Sequence, residues 1–249
     1  MVSPRRILVC GLGSIGRRHL RLLHELNPSS ELAAWRSGHG PGCPEEDLLV
    51  ARFSSLEEAL AWQPDAAIVA SPAPLHCAQA WELAAAGVAL LIEKPLGTGE
   101  EPQAAWQPLQ SAAVNGLPIL VGYVLRHDPA LAVLQAWLAS GRIGSLVSVH
   151  GRCGSWLPDW RPGTDYRRGV SARRELGGGV LLELSHDLDL LRSLLGPLTV
   201  TVADLSCSGL LEIGVEDRAL LLLRTGAGAR LSLQLDFCTR PPARSLLLR

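Results

Sequence analysis

The chain has 249 residues, which is long enough for one large domain or two smaller ones with cores that need neither disulfides nor metal. Apolar residues make up 47% of the sequence and the formal net charge is -1, so no global field attracts nucleic acid or an anionic membrane. These properties exclude nucleic-acid binding and membrane-surface binding as leading functions. They predict a protein that acts on small molecules.

The cysteines and the N-terminus predict a reduced, cytoplasmic protein. All six cysteines stand singly, without the close pairs that a zinc site or a redox motif requires, so we expect free thiols and no metal. The start, MVSPRRILVCGLG, reaches glycines within a few residues and has no cleavage site, so a signal peptide is not expected. No apolar stretch approaches the ~18 residues that span a bilayer.

Residues 1–123 are predicted to form an α/β domain with a doubly wound, parallel Rossmann sheet. Short apolar runs alternate with longer helical patterns, which is typical of parallel strands joined by crossover helices. The glycine- and proline-rich stretch 38–44 is interpreted as a loop within this domain. The predicted strands are ILVCG, ELAAWR, AAIVAS, ALLIEK and PILVGY.

Residues 124–249 follow a different pattern and are predicted to form an α+β domain with a mostly antiparallel open sheet. A helix over residues 129–140 precedes the strand GSLVSVHGR, and a second helix is expected over about residues 179–195. Three late runs, LTVTVAD, RALLLLRT and ARLSLQLDF, follow one another with turn residues between them. Consecutive strands of this kind should pair antiparallel.

The strongest local signal is GLGSIG, which stands directly after the first strand and opens a helical pattern. Gly11 permits a tight turn, Gly13 lets the backbone approach a pyrophosphate, and Gly16 allows close packing of helix and strand. The alternative is a glycine-rich turn without a ligand. Because strand, turn and helix coincide, we predict that a nicotinamide dinucleotide binds Gly11, Gly13, Ser14, Ile15 and Gly16.

The end of the second strand bears on the choice of cofactor. The text LAAWRSG places Arg36 and Ser37 where an acidic residue normally holds the ribose hydroxyls. A positive charge at this point suits a 2′-phosphate, which favours NADP over NAD. The alternative is that Arg36 is a solvated loop residue.

The next two long strands are predicted to end at the same ligand-binding edge of the sheet. His76 stands at the start of a helix, where a local hydrogen bond is an alternative to ligand contact. Lys94 directly follows a buried strand, so its ammonium group must find water, a carboxylate or a ligand, and it could move a proton on a substrate hydroxyl. The alternative is an ordinary surface lysine. The predicted cofactor contacts at this edge are Ser71, Pro72, His76, Glu93, Lys94 and Pro95.

A second set of ionisable residues lies in GGGVLLELSHDLDLL. Glu183, His186 and Asp189 recur every three residues, which predicts that they share one helix face. Such a face could be a proton-transfer site or merely a solvated surface, and no further cluster supports a metal. Asp187 is expected to point to solvent.

Five motifs in order, GLGSIGRRH, SPAPLH, EKPL, GYVLRHDPAL and GGGVLLELSHDLDLL, resemble the glucose-fructose oxidoreductase, inositol dehydrogenase and rhizopine catabolism (Gfo/Idh/MocA) family over nearly the whole chain. The resemblance implies an NAD(P)-dependent hydride transfer with Lys94 and His186 as the catalytic pair and Glu183 as a ligand of substrate hydroxyls. It implies a sugar, cyclitol or nucleotide-sugar substrate, and the text around residues 157–186 looks most like a branch linked to bacterial surface-saccharide synthesis.

Three departures from the family pattern keep alternatives open. Glu183 stands three residues before His186, whereas many members have an aspartate four residues before; the acid of the second strand is absent; and members usually continue beyond RPPARSLLLR, so we expect an incomplete C-terminal sheet. A redox-assisted epimerase or glycosidase with a retained cofactor, or a catalytically inactive nucleotide-binding regulatory relative, therefore remain alternatives.

The second domain is expected to bind the substrate and to support a homo-oligomer through its sheet. The loop over residues 156–174 is rich in arginine and aromatic residues, which suit a carboxylate or phosphate on the substrate. The predicted substrate contacts are Tyr123, Arg126, Trp160, Arg167, Glu183 and His186.

Overall fold

The computed structural model describes residues 4–38 and 42–249, so residues 39–41 of the predicted 38–44 loop lie outside the described residues. The chain divides into two compact units, Met1–Gly122 and Tyr123–Arg249. Each unit has its own sheet and its own buried core. Within the described ranges, every helix is too short or too polar to cross a membrane.

The first unit contains a six-stranded, fully parallel sheet with the order β3-β2-β1-β4-β5-β6, which confirms the doubly wound α/β prediction. All five predicted strands are present. The sequence pattern does not predict the edge strand β3, because three half-exposed residues carry no periodic signal. The strands are β1 Arg6–Cys10, β2 Glu31–Trp35, β3 Ala51–Phe53, β4 Ala66–Val69, β5 Ala89–Ile92 and β6 Ile119–Val121.

The helices of the first unit cover both faces of this sheet, so its central strands are buried. Leu8, Val9 and Val69 are fully inaccessible to solvent, as expected for parallel strands that are covered on both faces. Separate apolar clusters line the two faces. The helices are α1 Ser14–Leu26, α2 Leu56–Ala61, α3 His76–Ala85 and α4 Gln107–Val114.

The second unit has a five-stranded mixed sheet with the order β11-β7-β10-β9-β8. The late strands pair antiparallel as predicted, whereas β10 pairs parallel with β7. The tail RPPARSLLLR, which carries no predicted strand, forms β11 along β7. The elements are α5 Pro129–Ala139, β7 Ser148–Gly154, α6 Val180–Glu183, α7 Ser185–Leu195, β8 Leu198–Ser206, β9 Arg218–Thr225, β10 Arg230–Asp236 and β11 Ala243–Leu248.

The core of the second unit lies on one face of its sheet. Along β9, Ala219, Leu221 and Leu223 are buried while the residues between them are exposed, as the two-residue period of a half-covered strand requires. Val180 of α6 and Leu191 of α7 pack into the same cluster. The two short helices are therefore fixed to the sheet by apolar contact.

Candidate functional site

The glycine loop between β1 and α1 has the geometry of an anion-binding turn. Gly11 has a φ of 93°, which favours glycine, and a Cβ on Gly16 would lie 2.0 Å from the Gly11 carbonyl oxygen. A Cβ on Gly13 would meet nothing within 4 Å. Ser14 and Ile15 open α1, whose first turn contains no acidic side chain. The N-terminus of α1 therefore presents its backbone N–H groups to open space, where a phosphate would be favoured.

Arg36, which directly follows β2, is paired with a carboxylate that the sequence motif does not predict. The Arg36 guanidinium lies 2.5 Å from Glu46 Oε1, and both side chains are mostly buried. Glu46 comes from the short 3₁₀ turn Pro44–Leu48 and also pairs with Arg52. Ser37, the next residue after Arg36, is exposed. An acidic side chain from a neighbouring segment thus faces the arginine that was expected to be solvated or ligand-bound.

The segment after β4 is held by its own hydrogen bonds. Ser71 Oγ donates to Gln79 Oε1 over 2.6 Å, and Pro72 precedes a short 3₁₀ turn. His76 is only 1% exposed and has a backbone carbonyl oxygen beside each ring nitrogen: Pro95 O is 2.8 Å from Nδ1 and Ser71 O is 2.7 Å from Nε2. His76 therefore has the local hydrogen-bond partners that were the alternative to ligand contact.

The segment after β5 is fixed in a similar way. Glu93 Oε1 lies 2.7 Å from His19 Nε2, and Glu93 Oε2 accepts a hydrogen bond from the Lys94 backbone N–H over 3.2 Å. Burial opposes the charge on Glu93, but His19 and the Lys94 N–H together hold the pKa of Glu93 below its ordinary value. A Cβ on Gly122 would come within 3.1 Å of this carboxylate. The peptide bond between Lys94 and Pro95 is cis.

Lys94 is the only lysine in the 249-residue sequence. All other permanently cationic side chains are arginine. Lys94 is half-buried at the carboxyl edge of the parallel sheet, where ligands bind in sheets of this topology. The single primary side-chain amine of the sequence therefore lies at the candidate site.

The predicted continuous helix over residues 179–195 is in fact two helices. α6 ends at Glu183, and Leu184 leaves helical geometry (φ -97°, ψ 22°) before α7 begins. Glu183 therefore lies on a different helix from His186 and Asp189, so the predicted single helix face holds only for His186 and Asp189, which are three residues apart on α7. Both Glu183 and His186 are half-buried.

Two aspartates beside His186 are engaged in ion pairs with distant arginines. Asp189 accepts two hydrogen bonds from Arg126, over 2.8 and 2.6 Å, so this predicted substrate contact is already bound to a carboxylate. Asp187 was expected to face solvent, but it is 5% exposed and accepts two hydrogen bonds from Arg244. This expectation is wrong because β11 carries Arg244 to the otherwise apolar side of α7.

The structure brings two of the predicted substrate contacts together. The rings of Tyr123 and His186 meet edge-to-face with centroids 5.8 Å apart and an interplanar angle of 84°. Burial raises the pKa of the Tyr123 hydroxyl, and the nearby Ser185 side chain acts in the opposite direction. Tyr123 therefore presents a neutral hydroxyl and a rigid aromatic wall beside the histidine.

Two of the glycines before α6, Gly178 and Gly179, are closely packed against neighbouring groups. A Cβ on Gly178 would lie 2.4 Å from the Val170 carbonyl oxygen, and one on Gly179 would lie 2.3 Å from a Glu216 carboxylate oxygen. Glu216 also accepts a hydrogen bond from the Leu181 N–H over 3.3 Å. This contact fixes the start of α6 and hence the position of Glu183 at its end.

Trp160 and Arg167, the remaining predicted substrate contacts, both have structural partners within the second unit. The Trp160 indole N–H donates to Ser155 Oγ over 2.7 Å, and its ring packs edge-to-face on Phe237. Arg167 pairs with Asp165 and Glu212 at an exposed position. Across residues 4–38 and 42–249, no three histidine, cysteine or acidic side chains are grouped to hold a metal ion.

Both units match known protein families. Residues 5–123 match the family described as "Oxidoreductase family, NAD-binding Rossmann fold", and residues 131–247 match the "GFO/IDH/MocA C-terminal domain". The chain is 30% identical over 242 residues to inositol 2-dehydrogenase 2 of Saccharopolyspora erythraea, covering 91% of this chain and 65% of that protein. It is 29% identical over 224 residues to myo-inositol dehydrogenase Hyg17 of Streptomyces leeuwenhoekii, covering 88% and 65%.

A similar solved structure is the WlbA dehydrogenase from Bordetella pertussis in complex with NADH and UDP-GlcNAcA. It superposes with a TM-score of 0.79 at 27% identity, covering 98% of this chain and 73% of that one. The chain therefore spans 65% of the length of the two inositol dehydrogenases and somewhat more of the solved relative.

Proposed function

The chain belongs to the GFO/IDH/MocA oxidoreductase family, and we propose that it is an NAD(P)-dependent dehydrogenase or reductase acting on a CH–OH carbon of a sugar, cyclitol or nucleotide-sugar. The observation that carries this proposal is the position of Lys94. The only side-chain amine of the protein stands at the ligand-binding edge of a Rossmann sheet, in the same unit as an open glycine loop.

The residues at the glycine loop fit a dinucleotide. The empty space beside Gly13 and the acid-free first turn of α1 suit a pyrophosphate, which would accept hydrogen bonds from backbone N–H groups of residues 13–16. When bound, the cofactor supplies or accepts the hydride, and the protein supplies orientation and proton transfer. Pro72 and Pro95 remain candidates for the walls around the nicotinamide.

Oxidation of a substrate alcohol breaks a C–H bond, whose electron pair leaves with the hydride, and an O–H bond, whose proton needs a base. We propose that Lys94 and His186 hold and move this proton and that Glu183 accepts hydrogen bonds from neighbouring substrate hydroxyls. Reduction runs the same steps in reverse. The Tyr123 ring would limit the orientations of His186 through their edge-to-face contact.

The preference between the two cofactors is proposed to depend on Arg36 and Glu46. Arg36 favours the 2′-phosphate of NADPH, whereas Glu46 neutralises Arg36 and is itself suited to ribose hydroxyls. We expect NADPH to be favoured over NADH by no more than about tenfold, which corresponds to about 1.4 kcal/mol. Glu46→Gln should increase the preference for NADPH, and Arg36→Gln should reverse it.

The first experiment is a titration of the purified chain with NADPH and NADH, followed by nicotinamide fluorescence and thermal stability. Turnover is then measured with myo-inositol and with UDP-GlcNAcA as probes. Lys94→Met and His186→Asn should each lower kcat by about 10²- to 10⁴-fold while the dissociation constant for NADH changes little. A folded sample that binds neither cofactor would overturn the proposal.

Two other results would redirect it. A cofactor that stays bound through purification, with no net change in NAD(P)H during turnover, would support a redox-assisted epimerase or glycosidase. Cofactor binding without turnover on a wide set of polyols and nucleotide sugars would support a nucleotide-binding regulatory relative.

We also propose that copies of the chain associate through the sheet of the second unit. Leu220 and Leu222 on β9 and Val202 on β8 are substantially exposed, which leaves apolar area on the uncovered face. Light scattering across a concentration series, with Leu222→Asp as the disrupting variant, tests this association.

A further inference from the structure

Two histidines of the first unit contact the ends of the segment that carries Lys94, and neither has a role in the proposed chemistry. We propose that His19 and His76 are positioning residues, which hold Glu93 and Pro95 respectively so that the Lys94 amine is presented in one orientation. This inference rests on the proposed dehydrogenase function for the importance of Lys94. It adds that the catalytic amine depends on hydrogen bonds from two helices.

The contact from α1 holds the Glu93 end of the segment. His19 lies three residues after Gly16, hence about one helical turn beyond the glycine loop. Its Nε2 is 2.7 Å from Glu93 Oε1, and the two side chains are only 17% and 13% exposed. The other carboxylate oxygen of Glu93 accepts the Lys94 backbone N–H. One carboxylate therefore connects the phosphate-binding helix to the backbone of Lys94.

This geometry changes the role expected of Glu93. The sequence predicts it as a cofactor contact, whereas both oxygens have partners within the protein, His19 on one side and the Lys94 N–H on the other. The depressed pKa of Glu93 keeps the carboxylate ionised, and an ionised carboxylate is the stronger acceptor for both donors. Glu93 thus acts on Lys94 through the backbone.

The contact from α3 holds the Pro95 end. His76 is the first residue of α3 and is almost fully buried. Its ring lies between the carbonyl oxygens of Pro95 and Ser71, at 2.8 and 2.7 Å. Ser71 follows β4 and Pro95 follows β5, so one imidazole ring lies between the loops after two neighbouring strands. Because the ring is enclosed, it has little freedom to release either loop.

Together these contacts fix the residue on each side of Lys94. A proton-transfer group works only within a narrow range of distance and angle, and a displacement of about 1 Å can cost about 100-fold in rate. Loss of either contact should therefore lower kcat more than it weakens cofactor binding. A histidine with only a structural role would lower thermal stability without lowering kcat more than it weakens cofactor binding.

Because Lys94 is the only lysine, it can be observed directly. Reductive methylation of the full chain with ¹³C-formaldehyde labels Lys94 and the terminal amine, and the latter serves as an internal reference in ¹³C–¹H spectra. The variants are His19→Leu and His76→Leu, which remove the hydrogen bonds, and His19→Gln and His76→Gln, which keep an N–H donor. His24→Leu is the matched control, since His24 is exposed on the same helix as His19.

We expect the two leucine variants to shift the Lys94 signal and to lower kcat about 10- to 100-fold, with NADH affinity within threefold of the wild type. The glutamine variants should recover most of both values, and His24→Leu should match the wild type. Where a leucine variant does not fold, the glutamine variant decides: a wild-type Lys94 signal supports the proposal and a displaced signal overturns it.

The proposal is overturned if folded His19→Leu and His76→Leu leave the Lys94 signal and kcat unchanged, or if glutamine and leucine variants behave alike. The spectrum needs no substrate, so it separates this inference from the proposed function. A wild type without turnover would contradict the dehydrogenase function, while a shifted Lys94 signal in the variants would still support the positioning contacts.

Discussion

The two units hold their candidate residues by different kinds of interaction. In the first unit, glycine backbone contacts, the buried His76 and the half-buried His19 fix the loops after β1, β4 and β5. In the second unit, the helix that carries His186 is surrounded by ion pairs to residues about 60 positions away in the chain. The first arrangement depends on steric fit and the second on paired charges. Substitutions that add a methyl group should therefore disrupt the first, and substitutions that remove a charge should disrupt the second.

The largest effect should come from the glycine loop of the first unit. In Gly16→Ala the new methyl would have to occupy space 2.0 Å from the Gly11 carbonyl oxygen, and backbone on both sides must move. We expect the free energy of unfolding to fall by about 3 kcal/mol or more, measured by urea denaturation. NADH binding should be lost with it.

Gly13→Ala is the matched control, because a methyl there meets nothing within 4 Å. The free energy of unfolding should change by less than about 0.5 kcal/mol, while NADH affinity falls at least tenfold. Equal destabilisation by the two alanines would show that the loop is limited by something other than steric contact.

An intermediate effect is expected from the ion pair of the second unit. Arg244→Met removes both donors from Asp187, whose side chain is 7% exposed, and leaves a nearly buried carboxylate without its partner. A fully buried pair would cost about 3–5 kcal/mol when broken, but the Arg244 side chain is 45% exposed, so we expect about 2 kcal/mol. The measurement is urea denaturation at pH 7.

Arg126→Met provides the comparison for that ion pair, since the Arg126 and Asp189 side chains are 52% and 11% exposed, slightly more than those of Arg244 and Asp187. This substitution should cost slightly less than Arg244→Met, between about 1 and 2 kcal/mol. A larger loss in Arg126→Met than in Arg244→Met would contradict the dependence on exposure.

The smallest effect should appear as a pH dependence. The folded-state pKa of Glu93 is lowered, so its contribution to stability is present above its unfolded value of about 4.3 and is lost as pH falls through its lower folded value. In His19→Leu the part of that contribution that comes from His19 is lost, while the part from the Lys94 N–H remains. The stability difference between wild type and variant should therefore be greatest above about pH 5, on the order of 1 kcal/mol, and should shrink toward pH 3. A difference that is constant with pH would contradict the assignment.

The first unit was largely predictable because its signals are local. The strand, the glycine turn and the first residues of the helix lie within residues 6–16. Their roles follow from backbone geometry that adjacent residues determine. The short strand β3 and the Arg36–Glu46 contact were not predictable in the same way. Glu46 reaches Arg36 through a turn whose conformation has no periodic pattern.

The second unit was predictable in its elements but not in its side-chain partners. The contact of Arg244 with Asp187 depends on the pairing of β11 with β7. Neither segment contains a sequence pattern that predicts such long-range pairing. The break at Leu184 likewise depends on tertiary packing, since the glycines and Glu216 hold α6 in place while the leucine pattern continues across it. Helix spacing alone therefore does not show that Glu183 and His186 lie on different helices.

The near-exclusive use of arginine has a consequence for alkaline solution. All but one of the 23 lysine and arginine residues are arginine, which keeps its proton at any pH a protein tolerates. Burial raises the pKa of the Cys10 thiol to about 12 and that of the Cys153 thiol to about 11, so these groups also stay neutral well above pH 8. The charge that the arginines and these two thiols contribute should thus stay constant between pH 8 and pH 10, the range in which release of a proton would favour the proposed alcohol oxidation.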